Sequence, residues 1–517
     1  MTSRAGLRVL RRAGVIRPVR PDRLIPLVRA VRRWGRTPAA GYAAGAVRIP
    51  DRTALVDEVG PLTWAEIDGR TDRLASELRE CGIAAGDAVG LLARNGRGLV
   101  EGVVALNKVG ADVLYLNTGF GGPQLAQVLD REKATAVVHD AEFTDLLAEA
   151  TASRFAVTTE ALDELAGSSE RGRPPTPRHI SRQVILTSGT TGAPRGAARS
   201  GATLADAVAA LSRIPLRGRE TTVIAAPMFH SWGLSHLSLA LLLGSTVVVQ
   251  RRFDPHQVLA AVDDHRATAL VVVPVMLEQL LDAAEQGEYD LSCLRVIASS
   301  GSALTGGLAT RTQEVFGPVL HNLYGSTEVA YAAVATPDDL LADPRTAGRP
   351  PLGVTLKVLD DDGHETPPGV PGRIFVRSGL SFAGYTDGSD KERVGGLVCT
   401  GDVGMVDDHG RLTVLGRDDD MVVIGGENVY PSQVEDALLS HPSVSDVAVV
   451  AVPDASYGAR LVAHVVPAAG NEIDEDELTA LVRTNVARFA VPRQYELHDS
   501  LPRNATGKVV KRELPQH

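Results

Sequence analysis

The sequence predicts an α/β protein: a large N-terminal lobe of layered α/β sheets plus a compact β unit, followed by a small mobile C-terminal α+β domain. Three observations lead there. A chain of 517 residues exceeds what one hydrophobic core accommodates. From Asp51 onward, short β-branched runs alternate with segments whose apolar residues recur at helical spacing. Near residue 350 the text turns to Gly- and Asp-punctuated strands, and it breaks again near "GRDDDMVVIGGENVYPSQVE".

Residues 1–45 read as a basic amphipathic extension. Eleven arginines stand in the first 36 residues against one acid, Asp22, and "RLIPLVRAVRRWG" places Leu24, Leu27, Val28, Val31 and Trp34 on one helical face. The segment lacks a continuous apolar h-region, so it does not read as a secretory signal. A helix laid on the main lobe, a peripheral membrane contact and a disordered arm are the readings it admits.

Residues 46–417 read as the large lobe. Within it "AVGLLA", "AVVHD", "QVILTS", "TTVIAAP", "TALVVVP", "LRVIASS" and "PVLHNLYG" read as strands, separated by helical patterns such as "LADAVAALSR", "DPHQVLAAVDDH" and "MLEQLLDAAEQG". Such alternation argues for largely parallel sheets, which collect ligands at their strand ends. The β unit follows in "GVTLKVLDDDGHE", "GRIFVRS" and "GRLTVLGR". Residues 418–517 have their own strands, "VSDVAVVAVP" and "LVAHVVP", and helices, "SQVEDALLSH" and "DEDELTALVRTNVA".

Bulk properties exclude several classes. A formal net charge of −10 gives no basic field for nucleic acid. The three cysteines, Cys81, Cys293 and Cys399, lack metal spacing and fit a reducing, cytoplasmic setting, where they are expected as small buried residues. The apolar stretches "LSLALLLGSTVVV" and "ATALVVVPVML" stop short of a bilayer span and read as core.

The densest chemical signal is "ILTSGTTGAPRG". After a short apolar strand come Thr187, Ser188, Gly189, Thr190, Thr191 and Gly192, then Arg195. Glycines let the backbone aim N–H groups inward, hydroxyls add donors and Arg195 adds a cation, which together suit a polyphosphate. The pattern is not G-x-x-x-x-G-K-[ST], so a different phosphate loop is implied.

Together with "PMFHSWGL", "NLYGSTE", "TGDVG", "GRDDDMVVIGGENVYPSQVE" and "LPRNATGKVVKREL", this loop resembles the ordered motifs of the adenylate-forming superfamily of acyl-CoA synthetases, adenylation domains and luciferases, from about Asp51 to Leu514. The resemblance implies that a carboxylic acid attacks the α-phosphate of ATP to give an acyl-adenylate and pyrophosphate, after which a thiol displaces AMP. ATP, Mg²⁺ and CoA are the implied cofactors. Residue by residue, it assigns Thr187 and Glu328 to Mg²⁺, Ser188 to Gly192 with Arg195 to the phosphates, and Thr327 beside the α-phosphate. Ser300, Gly301, Ser302, Asn322, Tyr324, Gly325 and Ser326 become walls of the adenine and acyl pockets. Asp402 accepts from the ribose hydroxyls with Arg417 nearby, which suits a carboxylate that can take two donors at once. Lys508 becomes the cation that meets the reacting carboxylate and α-phosphate oxygens. His230 and Gly233 border the acyl tunnel and pantetheine channel. Asp419 falls on the hinge of a rotating small domain, and Gly425 and Gly426 on the segment that approaches pantetheine after rotation.

Amino-acid-activating relatives place a carboxylate just after the aromatic of the "PMFHSWGL" motif, whereas here Ser231, Trp232, Gly233, Leu234 and Ser235 follow His230. A buried ammonium without a counter-ion is costly, so the expected substrate is an apolar carboxylic acid, fatty or bulky and ring-containing. "GGENVYP" also resembles the fatty acyl-CoA synthetases. Three positions depart from the family pattern: Arg195 for a lysine, Arg373 for a glutamate, and Arg460 for an acid or glutamine. The last leaves the thiol acceptor open between CoA and an acyl carrier protein. A homodimer is also left open, and a catalytically silent homologue that binds acyl chains or nucleotide is the reading from a different class.

Overall fold

The computed structural model describes residues 4–187, 195–199, 203–326, 328–379, 390–418, 420–424, 427–454, 458–486, 488–504 and 507–515. The large lobe rests on two mostly parallel sheets. In the first, the order is Phe155–Thr158, Ala136–His139, Ala88–Leu92, Asp112–Tyr115, Gln183–Thr187 and Arg195–Arg199, parallel except for the last pair. In the second, Leu320–Tyr324, Val296–Ser299, Ala269–Val272, Thr221–Ile224, Thr246–Val248 and Thr53–Asp57 run parallel, with Ala333–Ala335 and Gly60–Thr63 as antiparallel edges. Strands such as Ala269–Val272 are apolar at every position because helices cover both faces.

Local chemistry sets the helix starts. Thr63 and Glu66 form a reciprocal capping box at the head of Trp64–Glu80, and Thr203 with Asp206 does the same for Leu204–Arg213. Pro274 opens Pro274–Gln286, where its missing N–H costs nothing. At the amino terminus lie three helices, Arg4–Arg12, Pro21–Trp34 and Pro38–Arg48. The third is buried, and Gly45 lies so close to Trp64 that a Cβ there would overlap the indole. In the second, Trp34 is buried, whereas Leu24, Ile25, Val28 and Val31 stay exposed.

The β unit is antiparallel: Thr355–Leu359, Gly372–Arg377, Leu397–Val406 and Leu412–Arg417, with the short Arg393–Val394 at its side. The C-terminal domain has a hairpin, Val422–Ile424 with Glu427–Val429, and a three-stranded sheet in which Val444–Asp454 pairs antiparallel with Gly458–Pro467, and that strand parallel with Gln494–Leu497. Helices Pro431–Leu439 and Glu475–Asn485 cover one face around Val449, Ala463 and Val465. The cysteine expectation needs correction: Cys399 is buried, but Cys293 is half-buried and Cys81 is exposed, because it follows the last turn of a helix instead of filling its inner face. Among the described residues, no helix is long and apolar enough to cross a membrane.

Candidate active site

Parallel strands deliver their carboxyl ends to one edge, so side chains far apart in sequence meet there. In the second sheet that edge holds Phe229 and His230 after Thr221–Ile224, Val273 after Ala269–Val272, Ser300–Ser302 after Val296–Ser299, and Gly325–Ser326 after Leu320–Tyr324. Ser300 Oγ donates to the Leu323 carbonyl (2.9 Å) and joins two strand ends. Gly301 takes a φ of 104° beside Val273, a bend that suits glycine. Asn322 Oδ1 and Ser299 Oγ are buried there with no partner among the described residues, which leaves polar capacity for a ligand.

Asn95 ties the first sheet to this edge. Its Nδ2 donates to the carbonyls of Ile224 (3.3 Å) and Ala226 (3.0 Å), and its Oδ1 accepts from the Met228 N–H (2.8 Å). Three bonds from one buried side chain fix the loop leading into His230. Sequence reading passes over Asn95 because Asn95-Gly96 looks like an ordinary turn pair. Its one signal is its place directly after the strand Ala88–Leu92.

His230 packs against the Phe229 ring, centroids 4.5 Å apart, and its Nε2 is buried without a partner among the described residues. Burial pushes its imidazole down to about 4, so it is neutral at pH 7 and acts as a hydrogen-bonding wall instead of a cation. Trp232 donates from Nε1 to the Val272 carbonyl (3.0 Å). At Gly233 a Cβ would press on the Pro227 carbonyl, so glycine lets the helix Ser231–Leu243 sit on the preceding loop.

A tight turn follows Tyr324. A Cβ on Gly325 would overlap the Ala330 carbonyl, Ala330 adopts a φ of 59°, and Ser326 Oγ accepts from the N–H groups of Glu328 (3.2 Å) and Val329 (3.4 Å). The turn holds the Glu328 carboxylate half-buried at a strand end. Carboxylate and hydroxyl oxygens, with no thiol or imidazole in the turn, suit a hard cation such as Mg²⁺.

Tyr324 also reaches the β unit. Its hydroxyl donates to Asp402 Oδ2 (2.5 Å) and lies 3.2 Å from Thr400 Oγ1, while Arg417 Nη1 stands 3.3 Å from Asp402 Oδ1. Register makes this possible, since Asp402 and Arg417 face each other across adjacent strands. Burial raises the Asp402 carboxyl above its ordinary range, and the Tyr324 hydroxyl and the Arg417 charge offset part of that. Arg373, the charge-reversing departure, is neutralised by Glu392 and by Asp418 (3.2 Å). Arg460 donates to Gln494 Oε1 (3.2 Å) within the small domain.

Lys508 lies on a tight loop closed by the Arg503–Val509 bridge. Its N–H donates to Asn504 Oδ1 (3.0 Å), and its carbonyl accepts from the Asn504 N–H (2.9 Å). Arg503, which sequence reading did not single out, donates to the Gly507 carbonyl and to Asp446 Oδ2 (2.6 Å), anchoring the loop to its domain. Gly507, at a φ of 78°, lies directly against Val275, the second residue of Pro274–Gln286. The loop carrying Lys508 is therefore docked beside the carboxyl edge that bears Val273 and Gly301. Ser188, Gly189, Thr190, Thr191, Gly192, Thr327, Asp419, Gly425 and Gly426 lie outside the described residues, as do the side chains of Thr187 and Arg195.

Residues 43–386 match the AMP-binding enzyme family and residues 433–508 the AMP-binding enzyme C-terminal domain. The chain is 34% identical over 474 residues to a feruloyl-CoA synthase of Amycolatopsis sp., covering 90% of this chain and 96% of that one. It is 32% identical over 486 residues to an indoleacetate–CoA ligase of Aromatoleum aromaticum, covering 90% and 95%. It is 30% identical over 483 residues to a fatty acid–[acyl-carrier-protein] ligase of Streptomyces coeruleorubidus, covering 90% and 93%. Its fold is similar to that of o-succinylbenzoate–CoA synthetase from Bacillus subtilis in complex with an acyl-adenylate, with a TM-score of 0.82, 27% identity, and 92% and 98% of the two chains covered.

Proposed function

The chain belongs to the AMP-binding enzyme family, and from that premise we propose that it activates an apolar carboxylic acid with ATP, releasing pyrophosphate, and then passes the acyl group to the thiol of CoA with release of AMP. The observation that carries this reading is the docked Lys508 loop at the strand-end edge where Glu328 and the Tyr324–Asp402–Arg417 cluster stand. In it, Asp402 and Arg417 hold the ribose, and Asn322 and Ser300–Ser302 line the base. Lys508 orients the acid's carboxylate toward phosphorus. Glu328, with Thr187, would hold Mg²⁺, which when bound draws charge from the departing pyrophosphate. Thr327 and the loop Ser188–Gly192 with Arg195 belong to the phosphates.

The domain division falls at residue 418, with Asp419 as the hinge that lets Lys508 leave before sulfur attacks and brings Gly425 and Gly426 to the channel. The acid side is apolar: Phe229, the neutral His230 and Trp232 offer no carboxylate to an ammonium. Two of the relatives, a feruloyl-CoA synthase and an indoleacetate–CoA ligase, are named for ring-bearing acids, which supports aryl acids ahead of straight-chain ones. A pyrophosphate-release screen over hydroxycinnamic, arylacetic, fatty and amino acids tests the reading. Turnover is expected with ring-bearing acids, and turnover with amino acids alone, or with nothing, would overturn it. The carrier-protein ligase among the relatives supports a second acceptor, separated from the first by comparing product formed with CoA and with a phosphopantetheinylated carrier.

The amino-terminal helix has a role of its own in this reading, as a contact with an anionic membrane surface. Its exposed stripe of Leu24, Ile25, Val28 and Val31 lies among Arg20, Arg29 and Arg32, an apolar face with basic flanks. Co-sedimentation with anionic but not neutral vesicles, lost on Ile25→Glu with Val28→Glu, is expected. Equal recovery of wild type and variant would remove the role.

A further inference from the structure

Three donor atoms converge on the small domain's sheet. His464 Nδ1 lies 2.9 Å from His498 Nε2 and 3.3 Å from Glu496 Oε2, and the last two are 4.0 Å apart. The convergence follows from register. His464 pairs with Glu496 across parallel strands, and the His498 N–H continues the ladder to the Val465 carbonyl (2.9 Å). Residues two apart on a strand share a face, so Glu496 and His498 point the same way.

Proton counting does not satisfy this trio with neutral rings. One N–H on His464 Nδ1 would then have to be split between His498 Nε2 and Glu496 Oε2, leaving both contacts weak. A point equidistant from the three atoms lies about 2 Å from each, the bond length that zinc makes to imidazole nitrogen and carboxylate oxygen, and a small rotation of the partly exposed Glu496 and His498 side chains toward each other gives tetrahedral spacing. The surroundings support the donors. Glu496 Oε1 accepts from Gln494 Nε2 (2.9 Å), leaving Oε2 toward the trio, and Arg460 in turn holds Gln494. His464 is fully buried, while the side chains of Glu496 and His498 are 20% and 23% exposed, which gives an ion a path in and leaves room for a water ligand.

We propose that His464, Glu496 and His498 form a binding site for a borderline divalent transition-metal cation of the zinc class, distinct from any Mg²⁺ held with ATP. Two imidazoles and one carboxylate favour such a cation over a hard one. The ion ties the strand Gly458–Pro467 to Gln494–Leu497. It does so on the sheet face bearing Val462, which Leu501 and Leu514 cover on either side of the Lys508 loop.

The test uses the full-length protein, stripped with chelator, dialysed, and free of ATP. Zn²⁺ is titrated against a chromophoric competitor, with melting followed in parallel. One equivalent of tightly bound Zn²⁺ and a higher melting temperature are expected. His498→Ala and Glu496→Gln, both at half-exposed positions, should each weaken binding by about 10- to 100-fold and abolish the thermal gain. Co²⁺ should give the intense visible band of a four-coordinate site in the wild type alone. The absence of stoichiometric binding, or equal binding by wild type and both variants, would overturn the assignment.

Discussion

Replacing Gly507 with alanine should disable adenylation while sparing thioester formation. Two costs follow from the structure. The φ of 78° lies where an L side chain is disfavoured by about 1 kcal/mol, roughly a fivefold effect. The added Cβ also falls well inside contact distance of Val275 Cγ1. Val275 is stiff at χ1 and sits in the first turn of Pro274–Gln286, so the loop and not the helix gives way. Restoring ordinary contact needs a displacement of about 1 Å, and misplacement of that size at a reacting centre costs on the order of 10²-fold in rate. Acid-dependent pyrophosphate release reads the first half-reaction, and thioester yield from supplied acyl-adenylate reads the second. The first should fall by about 10²-fold, as it should for Lys508→Ala, and the second by less than about threefold. Val275→Ala in the same chain should recover all but the backbone cost. Equal loss in both half-reactions, or no recovery with Val275→Ala, would refute the docking of this loop as the adenylating arrangement.

Tyr324→Phe removes a hydrogen bond that lowers the Asp402 pKa, so the acid limb of kcat/KM should move to higher pH and the KM for ATP should rise by about tenfold, read from pH-dependent initial rates. Asp436 is pushed up to about 7, chiefly by burial and then by Glu435, with Arg345 opposing. Because its native pKa exceeds the unfolded value, the stability it contributes is fully present below the ordinary carboxylate range and lost progressively from there up to about pH 7. Asp436→Asn should therefore raise denaturant midpoints modestly at pH 5 and most at pH 8, and a pH-independent difference would contradict this. Lys108 is fully buried, and its Nζ donates to Asp68 Oδ1 and Asp72 Oδ1, both at 2.7 Å. Lys108→Ala leaves those carboxylates without their buried partner, with Arg173 bonded and Arg33 nearby, and should cost about 3–5 kcal/mol in denaturant unfolding.

The strands "AVGLLA", "TALVVVP" and "LRVIASS" were legible in the sequence because central parallel strands, covered on both faces, must be apolar throughout. The edge strand Gly60–Thr63 carries no such run, since it has a neighbour on one side only. Motif order likewise singled out Glu328, Asp402, Arg417 and Lys508, whose residue types suit phosphate, ribose and carboxylate ligands.

What sequence could not supply is pairing across distance. Asn95 has meaning only once two sheets meet, Arg503 only once its loop folds back on Asp446, and Gly507 only once it lies against Val275. The close approach of Gly233 to the Pro227 carbonyl is likewise set by tertiary packing. His464, Glu496 and His498 look like scattered polar residues until parallel register sets two strands side by side. By itself, the sequence determined the α/β class, the family and the residue types of the chemistry, because these depend on local periodicity and short motifs. Tertiary structure alone decided which of those residues meet, because contact between strands is set by register and burial over the whole chain.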